Sequence, residues 1–391
     1  DALKKTIDVV SSRLKETHSE FIKEIDDGSA IEISEEGQTS IRFVDSGRAY
    51  HYYDLYKLYY TSGDRLDQRL SKIIAAELLN ENFDEDIYVD DADLASNYQD
   101  SGLQLLPYAD EDLKISALTL AFENKTDRFN KLELIEYFED YLNRDDLNYE
   151  ELSLGLLGLA SLNEPVLLNL RLLKDDDNLD LAELLYIGLA FDQLGSKAEA
   201  EEMFNKAIGN LAEDNAFETA LAAILAASLE RTREAELLWE FVEINGIEDD
   251  ITNLYELAYI KNLLRHLSVE NVEFKLEIND HSETIELNKN CHCIVVYPGD
   301  SISVDVKEGS LGAYVYFESE IDPEDFEKDK NIGIERTYYV DGEETKTFKE
   351  GDLVKVVIDV SIPDDSKLYE KQIFKITDIL PSGLKLISST H

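Results

Sequence analysis

From Leu113 to Leu267, apolar residues return every three or four positions with acidic residues between them, and Pro165 is the one proline of the tract. That period belongs to helices with one buried face. Short polar turns at Asn124–Asp127, Arg144–Asp146, Lys174–Asn178 and Gly195–Ser196 cut the tract up. The pattern predicts helices over Asp110–Glu123, Lys131–Asn143, Asn148–Leu162, Glu164–Leu173, Leu179–Leu194, Lys197–Leu211, Asn215–Leu229, Arg231–Asn245 and Asp250–Leu267. Connections this short set successive helices antiparallel. The tract is therefore a repeated helix-hairpin architecture, either a solenoid or a closed ring of helix pairs. One pair has tetratricopeptide spacing, with Leu184, Gly188 and Phe191 followed by Ala200, Phe204 and Ala207. A step of about 34 residues from Gly188 lands on Leu154 or Ala222. The register is not sustained, so it predicts one well-packed hairpin and not an array.

Upstream the pattern is less regular. Leu3, Ile7, Val10, Leu14 and Phe21 fall on one stripe and predict an amphipathic helix over Asp1–Ile25. Residues 26–47 contain Gly28, Gly37 and Gly47 and read as a loop or small hairpin, with β-prone pieces at Ile31–Ile33 and Ile41–Val44. Tyr50, His51, Tyr52, Tyr53, Tyr56, Tyr59 and Tyr60 form the aromatic hot spot of the chain. Tyr52, Tyr56 and Tyr59 share a helical face beside Leu55. Such a face can line a cleft for sugar or peptide; its commoner use is a core helix whose phenols reach the rim. Thr61-Ser62-Gly63-Asp64 ends this helix and caps the next, Arg65–Leu79. Asn80–Asp100 reads as an acidic loop.

At Val269 the period changes to two. Val272, Phe274, Leu276 and Ile278 alternate with charged residues, the mark of a half-buried strand. Further strands are predicted at Thr284–Leu287, Cys293–Tyr297, Ser301–Val306 and Ala313–Glu318. Ile321–Asn331 reads as a charged linker. A second β unit follows, with strands at Ile334–Val340, Glu344–Phe348, Leu353–Ser361, Lys371–Leu380 and Leu384–Ile387, and Asp341-Gly342 as its hairpin turn. Four of the six prolines and seven of the 18 glycines lie beyond Leu267, where β turns demand them.

Composition narrows the function classes. The chain has 391 residues, enough for two or three domains, and 43% hydrophobic residues, enough for real cores. Its formal net charge is −48, which argues against nucleic acid and anionic membrane surfaces as partners. It fits a solvated, self-repelling surface. No apolar run approaches the ~20 residues of a membrane helix. Asp84, Glu85, Asp86, Asp90, Asp91 and Asp93 are dense enough for calcium but lack the central glycine of a calcium loop. The two cysteines, Cys291 and Cys293, project from one face of a strand, a poor disulfide geometry. Cys291-His292-Cys293 has no second ligand pair to complete a zinc site. No phosphate loop, nucleophile elbow or His-Glu-x-x-His motif is present, and the carboxylates offer no way to choose an acid/base pair. No catalytic, cofactor or metal residue is assigned.

Three blocks near the C-terminus carry a resemblance. They are Arg336-Thr337-Tyr338-Tyr339-Val340-Asp341-Gly342, then Phe348-Lys349-Glu350-Gly351-Asp352-Leu353-Val354-Lys355-Val356, then Thr377-Asp378-Ile379-Leu380-Pro381-Ser382-Gly383-Leu384. In order and spacing they resemble the C-terminal macroglobulin-like domain of bacterial alpha-2-macroglobulin-like proteins. A fourth block, Leu105-Leu106-Pro107-Tyr108-Ala109-Asp110-Glu111-Asp112-Leu113, resembles part of that family's helical thioester-type domain. The resemblance implies a multidomain α plus β chain. Residues 1–267 would form an α/α-toroid, 268–322 a CUB-like β module, and 332–391 an incomplete macroglobulin-like sandwich.

The family's reactive feature is an internal thioester from a Cys-x-Glu-Gln motif placed before a helix like Tyr50–Tyr60. Gln38–Tyr60 holds no cysteine, and Ile294 and Val296 stand three residues after Cys291 and Cys293. The motif is lost or lies before Asp1, and loss is the simpler reading because the helix that follows it is present. No bait segment is identified, and the chain reads as a piece of a larger secreted or surface protein. The resemblance thus implies a non-enzymatic part of a protease trap. Its partners would be proteases, through the full-length protein, and other domains of the same protein. The alternatives are a tetratricopeptide-like scaffold and a toroid-type carbohydrate-active enzyme using the Tyr50–Tyr60 face.

Overall fold

A computed structural model of the chain describes residues 14–25, 31–89, 94–123, 126–211, 215–321 and 333–361, together with 385 and 387. The chain forms two compact units, one of Lys15–Ser319 and one of Asp1–Leu14 with Glu320–His391.

The first unit contains the helices. Four frame its start: α1 (Ser46–Tyr59), α2 (Leu66–Phe83), α3 (Leu94–Tyr98) and α4 (Leu113–Glu123). The rest alternate as α5 (Lys131–Leu142), α6 (Tyr149–Ser161), α7 (Leu167–Leu173), α8 (Leu181–Gln193), α9 (Lys197–Ile208), α10 (Ala216–Ser228), α11 (Thr232–Asn245) and α12 (Thr252–Leu264). Each helix of α4–α12 sits where the apolar period predicts one. The acidic stretch before them is not all loop, because α3 forms there and buries Leu94 and Tyr98.

Burial sorts these helices into two layers. α10 buries every residue from Thr219 to Ala227, and α4 every residue from Ile115 to Glu123. A helix apolar on all sides must be enclosed. α5 buries only Leu134 and Phe138, and α11 only Ala235, Trp239 and Val242. These are outer helices with one apolar stripe. The inner helices pack in succession, α4 on α6, α6 on α8, α8 on α10 and α10 on α12. α12 then packs on α4 and on α2, so the succession returns to its start. An open superhelix has no such contact.

Small residues set the spacing of the layers. A Cβ on Gly155 would lie 2.7 Å from Leu142, and one on Gly188 2.7 Å from Leu225. A Cβ on Gly158 would lie 2.3 Å from Cζ of the Phe138 ring. Asn148 with Glu151 and Asp180 with Glu183 form reciprocal capping boxes that start α6 and α8.

The same unit contains two antiparallel sheets. The strands are β1 (Leu14–Ile22), β2 (Thr39–Asp45), β3 (Val272–Ile278), β4 (His281–Leu287), β5 (His292–Val296), β6 (Ile302–Glu308) and β7 (Leu311–Ile321). One sheet has the order β1-β7-β2-β5 and the other β4-β3-β6. Ile41 and Phe43 of β2, Ala313 and Val315 of β7, and Val272, Phe274 and Leu276 of β3 share one core. The Phe43 and Phe274 rings meet across it at 5.2 Å.

Two expectations about the N-terminal segment are corrected here. Leu14–Ile22 is a strand and not part of an amphipathic helix, and 1–13 lie outside the described residues. The Ile41–Val44 piece is no local hairpin either, for it lies inside β2 between β5 and β7. The helical part therefore begins at Ser46, and strands from both sides of it build one sheet. The helical stripe was read from Leu3, Ile7, Val10, Leu14 and Phe21, of which only Leu14 and Phe21 lie in the strand. The edge of β7 outweighs that weak local preference.

In the second unit β8 (Gly333–Val340) pairs antiparallel with β10 (Val354–Ser361) and with the short β9 (Glu343–Glu344). Asp341 and Gly342 make the predicted turn, both at positive φ. The strand expected over 371–380 and the block 377–384 lie outside the described residues, as do most of 384–387 and of the linker expected over 321–331.

Candidate functional site

The site lies where the helices meet the first sheet. Strand residues alternate sides, so Ile41 and Phe43 face the β core while Arg42 faces away from it. The neighbouring positions in register with Arg42 are Cys293 on β5 and Tyr314 on β7. This outward face meets α1. Tyr314 packs edge-on to Tyr53 at 5.4 Å and lies 5.8 Å from Tyr56. The Arg42 guanidinium stands over the Tyr56 ring at 4.5 Å.

α1 starts with no linker, because its N-cap Asp45 is the last residue of β2. The Asp45 carboxylate makes no cap bond and accepts instead from Arg48 Nε at 2.7 Å, both side chains being buried. Arg48 also donates to the carbonyls of Asn82 (2.7 Å) and Lys289 (3.2 Å) and covers the Phe83 ring. One side chain thus ties the start of α1 to the end of α2 and to the β4–β5 connection.

Beside it, Glu85 gathers donors from three elements. Tyr52 Oη donates to Glu85 Oε1 at 2.5 Å and the Cys291 thiol at 3.1 Å, while Arg42 Nε stands 3.6 Å away. Burial, then the Glu85 carboxylate, pushes the Cys291 thiol up to about 12. Burial likewise raises Tyr52 far above the ordinary phenol range. Both groups keep their protons at neutral pH, and the Cys291 thiol is a hydrogen-bond donor to Glu85.

Cys293 is exposed, with its sulfur 3.8 Å from Ser40 Oγ. His292 turns to the other face, its ring 6.4 Å from Phe274. The Cys-His-Cys run is therefore split by the pleat. Among the described residues no group of three or more His, Cys, Asp or Glu is placed to hold a metal; Asp90, Asp91 and Asp93 lie outside them.

The aromatic run resolves as a core helix. Tyr52 and Tyr56 are buried with their rings 5.0 Å apart, and Tyr52 packs edge-on to Phe83. Tyr60 is exposed and lies parallel to Tyr316 at 6.4 Å. The sequence pointed to the tyrosines and the two cysteines. It named Glu85 only within the acidic run weighed for calcium, and it did not single out Arg42 or Arg48. A lone arginine between Ile41 and Phe43 was the available signal for the first.

The architecture defines a class: a closed succession of helix pairs inserted between strands of a β-sandwich, with a β unit after it. No protein-family model matches the sequence, and no curated protein does. Solved structures do. The fold is that of the C-terminal region of alpha-2-macroglobulin from Escherichia coli. The native protein from domain MG7 to its C-terminus matches with a TM-score of 0.56 at 14% identity, over 90% of this chain and 64% of that one. The native conformation determined by electron cryo-microscopy matches with a TM-score of 0.55 at 15% identity, over 89% of this chain and 26% of that one. The chain thus spans less than two thirds of either structure. No helix among the described residues is long and apolar enough to cross a membrane.

Proposed function

We propose that this chain is the shape-bearing, non-covalent body of an alpha-2-macroglobulin-like protease trap. The full-length protein would engage proteases and act outside the cytoplasm, secreted, periplasmic or at the surface. This segment would pack and move against the other domains of the same protein, without catalysis.

The single observation that carries the reading is the joint. A sheet built from strands on both sides of the helical insertion is clamped to it by Arg48 and by the Glu85 knot. Such a joint suits a part that transmits a change of shape as one piece. The chemistry of the thiols supports the non-covalent half of the proposal. A thioester needs a glutamine beside a cysteine, and the group beside Cys291 is the Glu85 carboxylate. The return of α12 onto α4 and α2 disfavours the tetratricopeptide scaffold.

Incubating the chain with a panel of proteases, followed by denaturing electrophoresis, tests the proposal. The expected outcome is no adduct that survives denaturant. A stable protease adduct lost on substitution of Cys291 or Cys293 would overturn it.

A further inference from the structure

Not every phenol beside the joint is absorbed into the core. Tyr60 is the C-cap residue of α1, and Tyr316 lies on β7 two positions after Tyr314, on the same side of the sheet. Tyr60 is 62% exposed, although a tyrosine ring is ordinarily worth burying. The two rings are parallel to within 6°, and their centroids stand 6.4 Å apart. Parallel rings that cover each other close further: Trp239 and Tyr259, inclined by 7°, stand at 4.4 Å. Tyr60 and Tyr316 therefore leave much of their faces uncovered by each other.

Neighbouring rings show what such a face takes here. The negative face of an aromatic ring attracts cations. The Arg42 guanidinium stands over Tyr56 at 4.5 Å, and the Lys72 ammonium stands over Tyr59 at 5.6 Å. Tyr60 packs on both of these rings, 6.1 Å from Tyr56 and 5.1 Å from Tyr59. Among the described residues, no cation stands over Tyr60 or Tyr316. Tyr316 Oη donates to Glu318 Oε1 at 3.2 Å, which makes its ring richer in electrons. The other oxygen of Glu318 holds Lys15 at 2.6 Å.

A planar cation suits parallel rings better than a compact ammonium does, because a guanidinium stacks face-on and is more weakly hydrated. We infer that Tyr60 and Tyr316 form a docking point for an arginine side chain of a partner polypeptide. The guanidinium plane would lie against the ring faces, and the formal charge of −48 would draw a basic segment toward them. The site rests neither on the protease-trap reading nor on the thiols.

Saturation-transfer NMR on the intact chain tests this with three end-blocked peptides, Gly-Arg-Gly, Gly-Lys-Gly and Gly-citrulline-Gly. The lysine peptide matches the charge, and the citrulline peptide matches the shape without it. The expected result is saturable binding of the arginine peptide, tighter than that of either other. Tyr60→Leu should weaken it about five-fold, the scale of one exposed ring–cation contact. Tyr60→Phe keeps the ring and should keep the binding. Tyr108→Leu removes a tyrosine that is 82% exposed elsewhere and should change nothing. Equal binding of the lysine peptide would mark diffuse attraction to an acidic surface, and equal binding of the citrulline peptide a merely apolar plate. Either result overturns the assignment, as does unchanged binding in Tyr60→Leu or the absence of saturable binding.

Discussion

Arg48 shows how a single side chain couples parts far apart in the chain. Its partners are Asp45, Asn82 and Lys289, and the ion pair with Asp45 lies out of water. Removing one member of a buried ion pair leaves the other charge uncompensated. Arg48→Ala should therefore cost about 3–5 kcal/mol, read as a lower urea midpoint. The double variant Arg48→Met with Asp45→Leu should recover much of that loss. Asp54 of α1 makes a different demand. Burial first, then Glu256, holds its carboxyl up at about 8, and burial holds Glu256 at about 7. A carboxyl with a raised folded-state value binds more protons folded than unfolded. Its contribution is complete below the unfolded value of about 3.8 and is lost as pH rises toward 8. Stability should fall across that window, and Asp54→Asn should flatten the fall, measured as urea midpoint against pH. None of these residues was legible in the sequence. Arg48 and Lys289 are 241 positions apart, and burial of Asp54 depends on α12. The buried aromatic face of Tyr52 and Tyr56 was legible, because it has helical spacing.

At the scale of elements, what could be read was what is local. Helices α4–α12 announced themselves through period, short turns and capping pairs such as Asp180 with Glu183. Strands β3–β7 announced themselves through alternation and turn residues. The failure at Leu14–Ile22 has the opposite cause, since nothing within that stretch records that β7, some 300 residues later, supplies its pairing edge. The pairing of β2 is equally non-local, with Arg42 opposite Cys293 and Tyr314. The hairpin spacing around Gly188 was read as close packing, and Gly188 does lie in van der Waals reach of Leu225 and Met203. Gly158 has the same function between α6 and α5. Gly158→Ala would drive a methyl group into the Phe138 ring and should cost about 1–3 kcal/mol by overpacking. Adding Phe138→Leu should return part of it. Equal thermal midpoints for the parent and Gly158→Ala would show that the two helices are not in contact there.

For the whole molecule, three separate blocks of residues and a fourth upstream suggested a family, and the C-terminal fold of the Escherichia coli protein proves to be shared at 14–15% identity. At that distance the architecture persists while individual side chains do not, so the reactive chemistry must be judged from this chain alone. Its two cysteines serve the joint and the sheet face: Cys291 donates to Glu85, and Cys293 stands beside Ser40. The account rests on both being free thiols in a body that works by packing. Titrating thiols in denaturant before and after prolonged exposure to methylamine tests this most directly. Two thiols before and two after are predicted. Fewer than two before, rising to two once the amine has been taken up, would reveal a masked thioester and contradict the account.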